Sequence, residues 1–349
     1  MKTTYISTFT MSNNSRSLLM RQTADVAQLQ VEMSSGRKAD VGLDLGRRTG
    51  DAVMVRSEFF RLSAIIDTNA LASSRLDVTQ TALGDMLSSA ENLLSTLVGV
   101  RDSNGSAVVA QSMAESNLKL LVARLNTQVS GTYVFGGINS AEAPINDYFA
   151  TPASDNKAAL DAAFLAEFGF TQDDPAAAGI TPAQMQTFLD GAFASLFEDP
   201  QWGADWSNAT NELASTVISP GESALTSLSA NEKAFRQLAM AFTMIGDLGT
   251  SGLSEGTYKT MLDKAISVLG DAVAGISDIQ GKTGLVQKRV SEASTRLKLQ
   301  TDILNKQIIS LESVNPEETA VRLNTALTQL ETTYAVSARM QKLSILNYL

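Results

Sequence analysis

Apolar residues recur at helical spacing near both ends of this chain, and that pattern limits what the chain can fold into. On the N-terminal side run Leu19, Val26, Leu29 and Met33, followed by Ser34-Ser35-Gly36-Arg37-Lys38. On the C-terminal side run Leu323, Leu327, Leu330 and Tyr334, and further on Leu343-Ser344-Ile345-Leu346-Asn347-Tyr348-Leu349, where Leu346, Tyr348 and Leu349 extend the apolar set. Residues three, four or seven apart make a narrow stripe on a helix, and a narrow stripe needs a partner helix. That partner is the chain's own other end, a neighbouring copy, or both. A helix such as 11–33 is marginal alone in water, because nucleation is costly and a thin stripe buries little. These residues are the candidate assembly contacts.

Composition removes most chemistry. With 349 residues, 44% of them hydrophobic, and 7 prolines, the chain is able to bury one or two sizeable cores. It has neither cysteine nor histidine. Disulfides, Cys/His zinc sites, thiol nucleophiles and histidine relays are therefore excluded. No apolar run approaches the ~18 to 20 residues of a membrane span, and residues 1–10 are too polar for the apolar core of a secretory signal. The net charge of -10 divides into +1 over residues 1–140, -14 over 141–281 and +3 over 282–349. No segment has the excess of Lys and Arg that phosphate neutralisation demands, so neither nucleic acid nor membrane is an expected partner. Arg37-Lys38 and Arg47-Arg48 read as solvated loop charges.

Residues 51–101 read as one long helix with Leu62, Ile66, Leu76, Leu83, Leu87, Ala90, Leu94 and Leu97 in a single 4-3 register, a coiled-coil pattern. Asn69, Ser73 and Gln80 interrupt it, and each either fixes alignment at a cost in stability or marks a looser seam. Val286, Val290, Ala293, Leu297, Leu304, Ile308 and Leu311 repeat the device. Asn315-Pro316 then breaks the helix, and Glu317 and Glu318 open the next one, where carboxylates suit the positive dipole end. That last helix is predicted from Pro316 to about Asn347, antiparallel to its predecessor if the turn is tight.

Between the helical arms, Gly131-Thr132-Tyr133-Val134-Phe135-Gly136-Gly137 and the stretch 213–218 before Ser219-Pro220-Gly221 are β-prone segments bounded by turn residues. They predict a small β element built from non-adjacent segments. Residues 150–206 gather Phe164, Phe168, Phe170, Phe188, Phe193, Phe197, Trp202 and Trp206 in a chain that is 6% aromatic. This concentration predicts a separate compact core. An aromatic ligand cage is the functional reading of the same residues, and core packing is the commoner arrangement.

Asp173-Asp174, Glu198-Asp199 and Glu317-Glu318 are adjacent carboxylate pairs, and such pairs do acid/base or metal chemistry when brought into one cleft. Neighbouring residues on a helix point to different faces, so turn formation and capping explain them. Gly136-Gly137 lacks the spacing of a phosphate loop. The chain reads as a non-enzyme without cofactor or metal.

Several short motifs, in order, carry a resemblance to a known family. Gln28-Leu29-Gln30 through Ser34-Ser35-Gly36-Arg37-Lys38 resembles the N-terminal signature of flagellins and of the flagellin-like hook-filament junction proteins. Arg75-Leu76-Asp77-Val78-Thr79-Gln80-Thr81-Ala82-Leu83 is similar to their second helix. Gly131 to Gly137 followed by Pro144, and the ending 343–349, resemble the junction proteins more closely than filament flagellin. The resemblance covers roughly residues 1–145 and 208–349. The chain departs from it at Ala39-Asp40-Val41-Gly42-Leu43-Asp44-Leu45-Gly46, where the family usually carries a short Asp-Asp-Pro-like stretch.

The resemblance implies a mainly α protein, an elongated flagellin-like helical rod and coiled coil formed by both chain termini, with a small β element and a compact central inserted domain. The expected division is an inner coiled-coil helix and loop over 1–50, rod halves over 51–149 and 207–315, an outward-facing insertion over 150–206, and a C-terminal inner helix over 316–349. The terminal helices would order on assembly, offsetting the entropy of ordering with newly buried apolar surface. The implied role is a structural subunit of the bacterial flagellum that joins hook to filament. The implied partners are a hook-side junction protein, filament flagellin, copies of itself in a ring, and an export chaperone binding the C-terminal helix. The implied location is outside the cell, reached without a cleaved signal. Filament flagellin is the alternative, and it would carry a glutamine- and asparagine-rich run near the end. A ligand-binding sensor or adhesin acting through the aromatic block is an alternative of another class.

Overall fold

The computed structural model describes residues 8–103, 107–248 and 252–342. In chain order the helices are α1 (Thr8–Ser35), α2 (Val41–Leu45), α3 (Thr49–Ser103), α4 (Ala107–Leu125), α5 (Asp155–Phe168), α6 (Pro182–Asp190), α7 (Ala192–Ser195), α8 (Lys233–Asp247), α9 (Glu255–Glu312) and α10 (Pro316–Lys342). The strands are β1 (Gln128–Val129), β2 (Thr132–Tyr133), β3 (Ser215–Ser219) and β4 (Glu222–Leu225). The fold is mainly α. It divides into two compact units, residues 1–63 with 298–349 and residues 64–297, and α3 and α9 contribute to both.

The larger unit holds the main core. Its long helices run antiparallel, because Asp77 accepts from Gln287, Gln80 donates to the carbonyl of Gln280, and Arg101 pairs with Asp263. Leu62, Leu76, Leu83, Ala90 and Leu97 are buried on α3, as the 4-3 register requires. The register's second set is displaced by one residue. Ile66, Leu87 and Leu94 are only half-buried, whereas Ala72, Thr79, Met86 and Leu93 are buried. The helix buries a face broader than one coiled-coil seam, since α4 and α8 share its core and a helix of 3.6 residues per turn presents both neighbours.

The two β hairpins are each local, β1 with β2 and β3 with β4. Among the described residues, pairing between distant segments takes the form of isolated bridges, Gly136 with Ser229, Ile145 with Ser207 and Arg37 with Ser313. Gly137 makes the first of these possible: its φ is +66°, and a Cβ there would lie 2.5 Å from the Thr210 carbonyl oxygen. The β3–β4 hairpin packs Ile218 and Ala224 on Leu76, Val290 and Ala293. Glu222 on β4 pairs with Arg289 and Arg296 of α9 at 3.1 and 3.3 Å.

The aromatic block does not form a core of its own. Its residues belong to one continuous cluster with Leu118 and Leu121 of α4, Phe235 and Leu238 of α8 and Leu262 of α9. Rings run in sequence through it: Phe164 to Phe188 at 5.7 Å, Phe188 to Phe193 at 5.8 Å, Phe193 to Phe197 at 5.2 Å and Phe197 to Trp206 at 5.4 Å. The short helices α5 to α7 are too small to enclose these rings, so the rings are buried against the long helices instead.

In the smaller unit α1 and α10 pack along each other. The end of α1 meets the start of α10, so the two run antiparallel: Val314 N–H donates to the Gly36 carbonyl at 3.1 Å and Lys38 N–H to the Glu312 carbonyl at 2.8 Å. Gly36 permits this turn with φ +67°, its N–H closing on Glu32 at 2.8 Å. Asn315 caps α10 by accepting from the Glu317 N–H at 3.0 Å, with Pro316 following as first helical residue. The neighbour of α10 is therefore α1, rather than the helix that precedes it.

Candidate assembly interface

The smaller unit buries very little apolar surface of its own. Among the described residues only Val26, Ala52, Leu62, Ile308 and Leu311 are buried apolar side chains there. Exposed ones include Met20, Val31, Val53, Met54, Phe60, Leu299, Ile303, Val321 and Val336. Helices that expose this much apolar surface are poorly explained as a finished core.

Each sequence-predicted contact can be placed. On α1, Val26 is buried at 7% exposure, Leu19 and Leu29 are half-buried, and Met33 is 44% exposed. On α10, Leu323, Leu327 and Leu330 are half-buried, and Tyr334 is 55% exposed. Leu346, Tyr348 and Leu349 lie outside the described residues. The fold thus brings the two stripes into one helix pair and leaves that pair incompletely covered. A groove of about 520 Å³ opens beside it, lined by Leu29, Glu32, Lys38, Val314, Arg322 and Ala326 among others.

An ionic joint that the sequence does not announce lies at the end of this pair. Glu312 is 1% exposed, and its carboxylate accepts from the guanidinium groups of Arg37 and Arg56. Burial alone would push the Glu312 carboxyl up. The hydrogen bonds from Arg56 and Arg37 outweigh it and hold the group below its ordinary value. Arg37 is accordingly more than a solvated loop charge, while Arg47 and Arg48 have no ion-pair partner among the described residues. Only a contact between residues 275 positions apart could have revealed the joint.

Of the carboxylate pairs, Asp174 acts as a cap, and Asp199 and Glu318 face arginines. Asp174 accepts from the Ala176 N–H at 2.8 Å, Asp199 pairs with Arg236 at 3.0 Å, and Glu318 lies 3.6 Å from Arg322. Among the described residues no group of three or more His, Cys, Asp or Glu is placed to hold a metal. No described helix is long and apolar enough to cross a membrane. The tryptophans offer no open face to a ligand. Trp202 and Trp206 are stacked 5.4 Å apart at 9°, both are buried, and Trp202 Nε1 donates to Asn231 at 2.9 Å.

Comparison with known proteins places this architecture. Residues 6–140 match the bacterial flagellin N-terminal helical region, and residues 266–349 match the bacterial flagellin C-terminal helical region. A Vibrio parahaemolyticus protein assigned as flagellar hook-associated shares the fold at 9% identity and a TM-score of 0.52, over 76% of this chain and 98% of that one. Bacillus cereus FlgL gives 12% identity and a TM-score of 0.43 over the same shares. No curated protein sequence matches the chain. With both helical regions of flagellin present, and together spanning more than half of its residues, the chain belongs to the flagellin family of bacterial flagellar structural proteins.

Proposed function

We propose that this protein is the flagellin-family subunit that joins the flagellar hook to the filament, assembling in a ring through its terminal helices. The observation that carries the reading is the uneven distribution of apolar surface. The larger unit closes a continuous core, while α1 and α10 share a half-buried seam and keep Met20, Val31, Val321 and Tyr334 exposed. Surface of that kind is stabilised when further helices cover it. Those helices belong to other flagellar axial proteins: a hook-side junction protein on one side, filament flagellin on the other, and further copies of this chain around the ring. An export chaperone covers the C-terminal helix before assembly.

The junction role, as against the filament, rests on the resemblance of Gly131 to Gly137, with Pro144, and of residues 343–349 to junction proteins. The filament role is the second reading, favoured by the match to both flagellin helical regions. Self-polymerisation separates the two. Purified protein under salting-out conditions is expected to remain free of long tubes, and growth of long tubes by the chain alone would make it a filament subunit.

A further inference from the structure

Glu312 stands at the last turn of α9, where unsatisfied helix carbonyls already concentrate negative charge. A carboxylate buried there is unfavourable unless cations face it. Two arginines do so from different elements, Arg37 from the turn after α1 and Arg56 from the first turns of α3, and both reach the same oxygen. The main chain repeats the link, with the Lys38 N–H on the Glu312 carbonyl and the Val314 N–H on the Gly36 carbonyl. Buried Glu32 of α1 adds a further tie by accepting from the Ala39 N–H at 3.2 Å. The apolar contact between α1 and α10 requires none of this, since that contact lies along the helices and the clasp lies at their junction.

We propose that Glu312, Arg37 and Arg56 form a charge clasp that positions the α1–α10 pair for assembly. The two guanidinium groups hold the turn 36–38 against the turn 313–315 and so set the direction in which the pair leaves α9. These are positioning residues. They act on the presentation of the pair rather than by touching a partner. The consequence for assembly rests on the junction reading above, whereas the clasp itself is testable without it.

The test uses the full chain with Glu312→Gln, Arg37→Gln, Arg56→Gln and Arg56→Lys. Two quantities are read: amide hydrogen exchange at Lys38 and Val314, and association with the ends of isolated hook and filament fragments by sedimentation. E312Q removes the charge that both guanidinium groups bind and so unties the turn 36–38 from the turn 313–315, which is expected to speed exchange at both amides by at least about tenfold. End association should fall about tenfold, with the main melting transition unmoved. R56Q should behave as E312Q does, and R56K should keep most of the wild-type protection and association because it keeps the charge. Adding R37Q to E312Q should cost little more than E312Q alone, since the two share one interaction.

Wild-type exchange and association in E312Q would overturn the clasp, as would R56K failing as badly as R56Q, which would make the role one of shape. Should Glu312→Gln fail to fold, the half-exposed Arg37 and Arg56 variants carry the same comparison. Failure of the wild-type protein to associate with either fragment would count against the junction reading alone. Exchange at Lys38 and Val314 would still decide the clasp.

Discussion

Asn69 on α3 donates from Nδ2 to the main-chain oxygen of Ile218 on β3 at 2.9 Å, joining points 149 residues apart. Ile218 sits where the β3–β4 register slips between Val217 and Ser219, so its carbonyl is left outside the ladder. The polar residue in the apolar seam is thus the partner of a bulged strand. Asn69→Ala should destabilise the larger unit by roughly 1–3 kcal/mol, the cost of leaving a buried acceptor unpaired. Hydrogen exchange in residues 215–225 should rise with it. Unchanged exchange there would mean that Glu222 and its two arginines hold the hairpin unaided.

Acid should weaken the smaller unit through Glu312. Its folded pKa lies below the ordinary 4.5, so its stabilising contribution is full above that value and is lost as pH falls through the lower folded value. Asp247 acts with the opposite sign. Burial raises its pKa despite the hydrogen bonds from Tyr148 and Lys157, so its contribution grows as pH falls through the raised value. Protection at the Lys38 and Val314 amides, taken relative to the intrinsic exchange rate at each pH, should fall in the wild type between pH 6 and about pH 3. In Glu312→Gln that protection should be low throughout.

The aromatic chain should behave as core. Trp206→Ala removes a ring that stacks on both Trp202 and Tyr148, at 5.4 Å in each case, and should cost about 3–5 kcal/mol. Trp202→Phe keeps most of the volume but leaves Asn231 short of a donor, at about 1 kcal/mol. Both are read from denaturant midpoints of the full chain. Excision of 151–205 should lower stability as well, because Leu118, Phe235 and Leu238 would lose their cover. A stable, cooperatively folded deletion would show that the block is dispensable.

Along the chain, periodicity exposed the helices and little of what joins them. Leu62, Leu76, Leu83, Ala90 and Leu97 announce α3 because a buried face repeats with the helix turn. Ala72 and Thr79 stay hidden because small and polar residues carry no apolar signal, although both are buried. Local composition also misplaced the aromatic block, since a cluster in sequence does not reveal which distant helices will cover it. Arg37, Arg56 and Glu312 look like ordinary surface charges until the ends of α1, α3 and α9 meet. Stripe positions such as Val26 and Leu327 were legible, and the ionic joint beside them was not, because ion pairs between distant residues have no period.

Charge placed in the α1–α10 seam should separate assembly from folding. Leu327→Glu puts a carboxylate at a half-buried position in the smaller unit, away from the continuous core of the larger one. It should abolish association with flagellar fragments while moving the main melting transition by less than about 2 °C, as surface changes distant from a core do. A large fall in that transition would make the pair part of the chain's own stable core.

Negative-stain electron microscopy of the purified protein mixed with isolated hook and filament fragments shows whether the α1–α10 pair joins flagellar lattices, with Val26→Glu as the control. Wild-type protein is expected at fragment ends with no long polymer of the chain alone, and ends should stay bare with Val26→Glu. Long tubes grown by the wild type alone, or end binding that survives Val26→Glu undiminished, would contradict the junction role proposed for that pair.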